Sequence, residues 1–414
     1  LIFSEKLAVF PHGPLFLTLK HAIPLLLFGL IGFAAVAQPI RTPQASLDAY
    51  RTNLDSLRRE WPTVRELPDM KFFLFGMGNR RKMVYQNGTL FDARTGEVIR
   101  QWKMIQDFIL PADYSVIVQD AKGRWTMIRE TGTGVFLDDG KGKAYLTRAP
   151  VRLPTFRGKK YAPILRVLHH DVLLNVVDGK PLPNFFVYQN PWLRDGAMMA
   201  MVLKATGNLD LIRDWILALR DPFDRNNKGH SETDNLGQAL YLASLVSDKT
   251  HPLVAAAIDS AKRFEKTAPD GSRFLGGSTD YAPHPVYQTK WMKFGLKSLG
   301  LPDPYRIPKQ YDSYSSLFWW DFKTEHVPGP RFPAQEGQNY PYLVWAEDHF
   351  FNRSDASENR APLGNLDYPL TWESKASEAK YAGLSVLDPA LVNLKIAAPH
   401  TWHAAELFLL LLER

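Results

Sequence analysis

The chain has 414 residues, no cysteine, and 50 Lys and Arg against 43 Asp and Glu, for a net charge of +7. The lack of thiols excludes a disulfide scaffold, thiol catalysis and cysteine-based metal sites. The positive excess is mild and spread along the chain, and no nucleic-acid motif occurs, which argues against nucleic acid and leaves an acidic polysaccharide compatible.

Residues 1–37 read as a signal peptide. Lys6 and Lys20 supply positive charge, Ile23 to Phe33 is a short apolar run, and Ala35-Val36-Ala37 fits small-x-small cleavage before Gln38. A membrane span needs about 20 apolar residues, so no stable span is expected after cleavage; an uncleaved anchor is the alternative. Export without disulfides fits a bacterial periplasm or cell surface.

Residues 38–150 divide into a helix and a β-rich module. Leu47, Leu54 and Leu57 are periodic in a helix over Leu47–Glu60, which Trp61-Pro62 ends. Short apolar runs then begin at Phe72, Lys82, Ser115 and Arg124, punctuated by Asn87-Gly88, Thr95-Gly96, Lys122-Gly123 and Asp139-Gly140. Such alternation predicts strands and turns.

From residue 151 the pattern is helical. Expected helices are Pro163–Val177, Pro191–Thr206, Leu209–Leu219, Thr233–Val246, Leu253–Lys266, Pro285–Leu299, Ser313–Phe322, Tyr340–Phe351, Thr371–Leu384 and His400–Leu412. Serial helix pairs of this length predict a mainly α fold, an α/α toroid, whole or incomplete, over 151–414. Alternate helix N-termini would then meet at one end, where their dipoles favour carboxylates and anionic ligands.

The most informative string is Asn190-Pro191-Trp192-Leu193-Arg194-Asp195-Gly196-Ala197. Asn190 suits an N-cap and Pro191 the first helical position. Asp195 shares a stripe with Met198, Met199 and Val202, an inward face on which a carboxylate is costly unless bonded or used. Trp192 offers a flat apolar face for a sugar ring. The string resembles the W-x-R-D-x-A motif of the glucoamylase-like, six-hairpin glycosidases. That resemblance extends less specifically over the helical run from about Ala162. It implies a glycoside hydrolase in which Arg194 and Asp195 contact substrate while other carboxylates move the proton. A buried structural ion pair is the competing account of Arg194 and Asp195.

Glycoside cleavage needs one protonated carboxyl and a second that activates water or attacks the sugar. His230-Ser231-Glu232-Thr233-Asp234-Asn235 opens a helix that continues through Gln238. Glu232 is the acid candidate and Asp234 the reserve, although Ser231 and Asp234 also match a capping box. Glu373 is the first choice of base, then Glu336 and Glu347. An inverting enzyme, the favoured outcome, holds its pair about 6.5–9.5 Å apart. The tandem-acid motif of the resembled family is absent. His230, Asn235, Gln238, Tyr281, His284, His400, Trp402 and His403 are candidate sugar contacts beside Trp192. His400 and His403 lack an evident third metal ligand. Glu406 reads as a buried acid, and His169-His170-Asp171 as structural. No metal or cofactor is implied.

The reading is an exported enzyme acting on an oligo- or polysaccharide. One alternative is a polysaccharide lyase, with Tyr281 or His284 abstracting a proton beside Arg194. Another is a non-catalytic glycan-binding surface protein.

Overall fold

The structure, a computed structural model, describes residues 42–60, 72–315, a few positions between 318 and 329, and 399–413. Helix α1 (Pro43–Glu60) buries Tyr50, Leu54 and Leu57, one i, i+4, i+7 stripe. A four-stranded antiparallel sheet follows: β1 (Phe72–Phe75), β2 (Met83–Gln86), β3 (Thr89–Asp92) and β4 (Val98–Gln101), paired in chain order. The β2–β3 turn is Asn87-Gly88, with φ of 47° and 72°. Two left-handed residues in a two-residue loop match the twist of a hairpin, and Asn-Gly adopts them at little cost.

A second meander holds β5 (Met104–Leu110), β6 (Ser115–Asp120), β7 (Trp125–Thr131), β8 (Gly134–Asp138) and β9 (Lys143–Arg148). Its inner face carries Val116, Val118, Ile128 and Val135, all buried. The two sheets meet at Glu130 of β7. This carboxylate accepts the N–H groups of Gly76 and Met77 at 2.9 and 2.7 Å and pairs with buried Arg80 at 2.8 Å. Lys82 donates to the carbonyls of Gly76 and Gly78 in the same loop. The Gly78 N–H in turn reaches Leu173 O of helix α2 (Ala162–Leu174) at 2.8 Å. His170 of α2 is sandwiched with Phe73 and Tyr114, and burial lowers its imidazole to about 3. His169 is lowered equally by burial.

After the small hairpin β10 (Val176–Val177) and β11 (Lys180–Pro181) come α3 (Leu193–Ala205), α4 (Arg213–Ala218), α5 (Asp234–Val246) and α6 (Pro252–Ala261). The hairpin β12 (Glu265–Thr267) and β13 (Arg273–Leu275) precedes α7 (Pro285–Ser298), and α8 (Thr401–Leu412) ends the described chain. Helix α5 packs between α3 and α7, while α8 packs on α2 and α3. The α5–α7 contact is backbone to backbone: a Cβ on Gly237 would lie 2.1 Å from the Trp291 carbonyl carbon, and one on Gly295 would lie 2.5 Å from Gly237 O.

The expectation of a mainly α toroid is overturned. The described residues hold eight α-helices and thirteen strands in four sheets, a mixed α/β arrangement. Several apolar runs do not become the helices expected of them. Leu209–Leu219 breaks into a single 3-10 turn and six-residue α4. The helix expected to reach Lys266 ends at Ala261, because Gly271 (φ 80°) turns the chain and pairs Glu265–Thr267 with Arg273–Leu275. Ser313 and Tyr314 lie in a turn. The expected helices Tyr340–Phe351 and Thr371–Leu384, the acids Glu336, Glu347 and Glu373, and the signal peptide lie outside the described residues. No helix among the described residues is long and apolar enough to cross a membrane.

Candidate active site

Four helix starts, those of α3, α5, α7 and α8, meet around Arg194. Helix α3 begins at Leu193, later than Asn190 and Pro191 predict, because its cap comes from elsewhere. The Asp224 carboxylate accepts the Leu193 N–H at 2.8 Å, and Asn226 holds Pro191 O at 2.7 Å. Burial raises the Asp224 carboxyl to about 6 against the N–H groups of Asn226 and Leu193 that it accepts.

Arg194 is 2% exposed and committed to three carboxylates. It grips Asp280 with both terminal nitrogens at 2.8 and 3.1 Å, meets Glu232 at 3.2 Å, and lies 3.7 Å from Asp234. Trp402 and Trp192 flank the guanidinium, with ring centroids at 5.4 and 5.8 Å. A cation so enclosed is not free to neutralise a uronate, which removes the main support for a lyase.

The acids around it differ in how they are held. Glu232 also accepts Asn227 Nδ2 at 2.9 Å and the Asp280 N–H at 2.5 Å, so the acid candidate is firmly bound. Burial nonetheless raises its carboxyl, with the charges of Asp234 and Asp280 adding to that and Arg194 opposing. Asp234 accepts Thr279 Oγ1 at 2.7 Å and Gln238 Nε2 at 2.9 Å, and burial raises it too. The capping box is not made: no side chain caps α5, and Ser231 Oγ accepts from Arg225. Burial opposes ionisation of Asp280 as well. There Arg194 prevails, aided by Asn227 and Tyr314, and the carboxyl is lowered. The Asp280 side chain is the open edge of the cluster, 33% exposed.

Asp195, one residue along α3, turns toward α8. Its Oδ1 accepts Thr401 Oγ1 at 3.2 Å and lies 3.7 Å from His400 Nδ1. Burial raises this carboxyl to about 7, with Arg194 and Thr401 opposing and Asp280 adding to the rise. Asp195 and Asp280 are thus pushed in opposite directions, the first by burial and the second by Arg194.

The remaining candidates separate into rim and interior. Tyr281 is 56% exposed, edge-on to His230 at 5.4 Å and under Lys228 at 5.5 Å. Asp280 and Tyr281 are consecutive left-handed residues (φ 48° and 66°), a conformation worth about 1–3 kcal/mol of strain each. Trp192 is half-buried against Tyr188. Asn235 and Gln238 lie inside: Asn235 donates to Gln238 at 3.1 Å and accepts the Asp224 N–H, so they brace the carboxylates rather than face a ligand. His403 stacks on His400 at 4.8 Å, and burial holds its imidazole well below the usual range. Trp402 and Glu406 are buried along α8. Among the described residues no group of three His, Asp or Glu is placed to hold a metal ion.

His284 belongs to a dyad that sequence reasoning missed. Its Nδ1 meets Asp312 Oδ1 at 2.8 Å, and its ring lies on Tyr314 at 3.7 Å, tilted by 12°. Asp312 also accepts the N–H groups of Val286, Tyr287 and Tyr314, which caps α7 and leaves His284 Nδ1 as the donor. Tyr314 Oη donates to Asp280 at 3.1 Å, joining the dyad to the Arg194 cluster. Asp280, Asn227, Thr401, Asp312 and Tyr314 were not singled out from the sequence. The polar run Asp224-Arg225-Asn226-Asn227 was the one signal that could have drawn attention to Asn227.

Comparison with family models, curated proteins and solved structures finds no match in any of the three. Together with the strand-rich first part of the chain, this overturns the resemblance to the six-hairpin glycosidases. Its motif spans six residues, Trp192 to Ala197, and Arg194 and Asp195 are accounted for by contacts within this fold.

Proposed function

We propose that the chain binds a saccharide at the Asp280–Tyr281–Trp192 edge of the Arg194 cluster and cleaves a glycosidic bond, with Asp195 as proton donor. What supports this reading is how two carboxyls near Arg194 are held: Asp195 enclosed against Thr401 and raised to about 7 by burial, Asp280 gripped by both terminal nitrogens of Arg194 at the open edge and lowered. At neutral pH the first retains a proton for a leaving oxygen, and the second keeps a negative charge beside a developing oxocarbenium ion. Glu232 passes from donor to brace in this scheme, since Arg194, Asn227 and the Asp280 N–H already hold it. Glu373 keeps the water-activating role expected from the sequence and lies outside the described residues.

The test is release of reducing ends from a panel of polysaccharides by the full chain and by Asp195→Asn. Activity is expected only in the parent chain, while Glu232→Gln disturbs folding more than chemistry. Equal release by Asp195→Asn refutes the donor role, and an ultraviolet-absorbing product restores the lyase. A second reading, glycan binding without turnover, is favoured by the commitment of Glu232, Asp234 and Asp280 to Arg194. Retention of a saccharide with no released ends supports it.

A further inference from the structure

The five-stranded sheet has an unusual outer face. An antiparallel sheet with one face on the core normally turns polar side chains to water. Here directly opposed residues, which share a face, form one row Phe108–Ile117–Met127–Asp138–Lys143 and a neighbouring row Ser115–Arg129–Phe136–Tyr145, in which Ser115 and Phe136 are themselves covered while Arg129 and Tyr145 are exposed. Trp125, opposite Gln119, starts a third. Trp125 and Tyr145 are 41% and 40% exposed, among the few large apolar side chains that the described residues leave so open. Trp125 lies against Phe108 at 6.1 Å and Tyr145 against Phe136 at 5.7 Å. Lys143 sits over Phe136 at 5.0 Å and Arg148 over Tyr145 at 3.8 Å, which places both cations on this face with Arg129. Opposed to three cations is one carboxylate, Asp138. The inward carboxylate Glu130 is consumed by the seam between the sheets.

We propose that this face is a second carbohydrate site, on elements other than those of the Arg194 cluster, and that it holds an anionic polysaccharide. Tyr145 is level with Arg129, four residues along β7 from Trp125, so the two rings are offset by about 10 Å across the strands and about 13 Å along them, roughly 16 Å in all and the span of three to four sugar units on a pleated surface. Pyranose rings stack on Trp125 and Tyr145, whose polar edges stay wet. Lys143, Arg148 and Arg129 meet carboxylates or sulfates on the polymer. The charge selects the class of polymer: the face is positive, whereas the Arg194 cluster sets three carboxylates against one cation and repels a polyanion. The chain thereby holds an acidic matrix with one surface and presents the other to a different sugar.

The test is affinity electrophoresis of the full chain in native gels containing polygalacturonate or neutral dextran. Retardation is expected in polygalacturonate alone, weakening with salt as exposed charges are screened. The Trp125→Ala/Tyr145→Ala double variant should bind about tenfold more weakly. Lys143→Gln/Arg148→Gln, which leaves both rings in place, should show the same loss with a shallower salt dependence. Asp195→Asn should bind as the parent does, so failure here is distinct from failure of the proposed hydrolysis. Absence of retardation, retardation indifferent to loss of the two rings, or tighter binding to phosphatidylglycerol vesicles than to polygalacturonate overturns the proposal.

Discussion

Replacing Asp195 with Asn should make the protein more stable and, on the reading above, inactive. The carboxyl has an ordinary value of 3.8 and stands at about 7 in the fold, chiefly because it is buried. A group raised on folding favours the folded state below its unfolded value, and that advantage is lost as pH climbs to the folded value. For Asp195 the window runs from 3.8 to about 7. The burial penalty it imposes on the fold grows across that window to about 4 kcal/mol near pH 7, from 1.36 kcal/mol for each tenfold change in proton affinity. Asn keeps the oxygen that accepts from Thr401 and never ionises, so it escapes this penalty. The stability advantage of Asp195→Asn should therefore be small near about pH 4.5 and larger by about 3 kcal/mol near about pH 7.5. Urea unfolding of both proteins at the two pH values, followed by tryptophan fluorescence, measures it. An advantage that does not change with pH means that Asp195 ionises normally in the fold, and the proton-donor argument fails with it.

Three further outcomes are expected. Arg194→Met removes the one cation among Glu232, Asp234 and Asp280 and should cost about 3–5 kcal/mol at neutral pH; thermal unfolding should show part of the loss recovered in acid, where the stranded carboxylates protonate, and a uniform loss at all pH values would argue against charge as its cause. Gly237→Ala places a methyl group inside the Trp291 backbone and should cost about 1–3 kcal/mol by overpacking, read by chemical denaturation, whereas an unchanged midpoint would show that α5 and α7 separate freely. Asp312→Ala strips α7 of its cap and frees His284 to change tautomer; a loss of about 1–2 kcal/mol and an altered nitrogen-15 shift of the His284 ring are expected, and an unaltered ring shift would refute the tautomer assignment.

Local signals read well where the nearest neighbours in sequence decide the structure. Asn87-Gly88 makes the turn that two left-handed residues allow, and the Tyr50–Leu54–Leu57 stripe buries one face of α1. Reading failed where a distant group takes over a local role. Asn190 has the chemistry of a cap, yet Asp224 holds the start of α3 from 31 positions away. Ser231 and Asp234 have the spacing of a capping box, but Arg225 takes the first and Arg194 and Thr279 engage the second. Glu232 looked free of structural duty because its partners, Arg194 and the Asp280 N–H, come from other helix starts. The large-scale error has the same origin. Helical periodicity after Ala162 suggested a ring of helices, and it carries no information on how the helices close or on the hairpins that interrupt them.

The clasp at Glu130 bears on how such a chain can change over time. One carboxylate secures a loop of the other sheet, a neighbouring lysine ties that loop's carbonyls, and the same loop reaches helix α2 through Gly78. A strand-rich half fastened this way is not an interchangeable cassette. Recombination that grafts a foreign module ahead of α2 must bring a matching acid and its glycine loop together, or leave an arginine and a lysine without counter-groups in a dry interior.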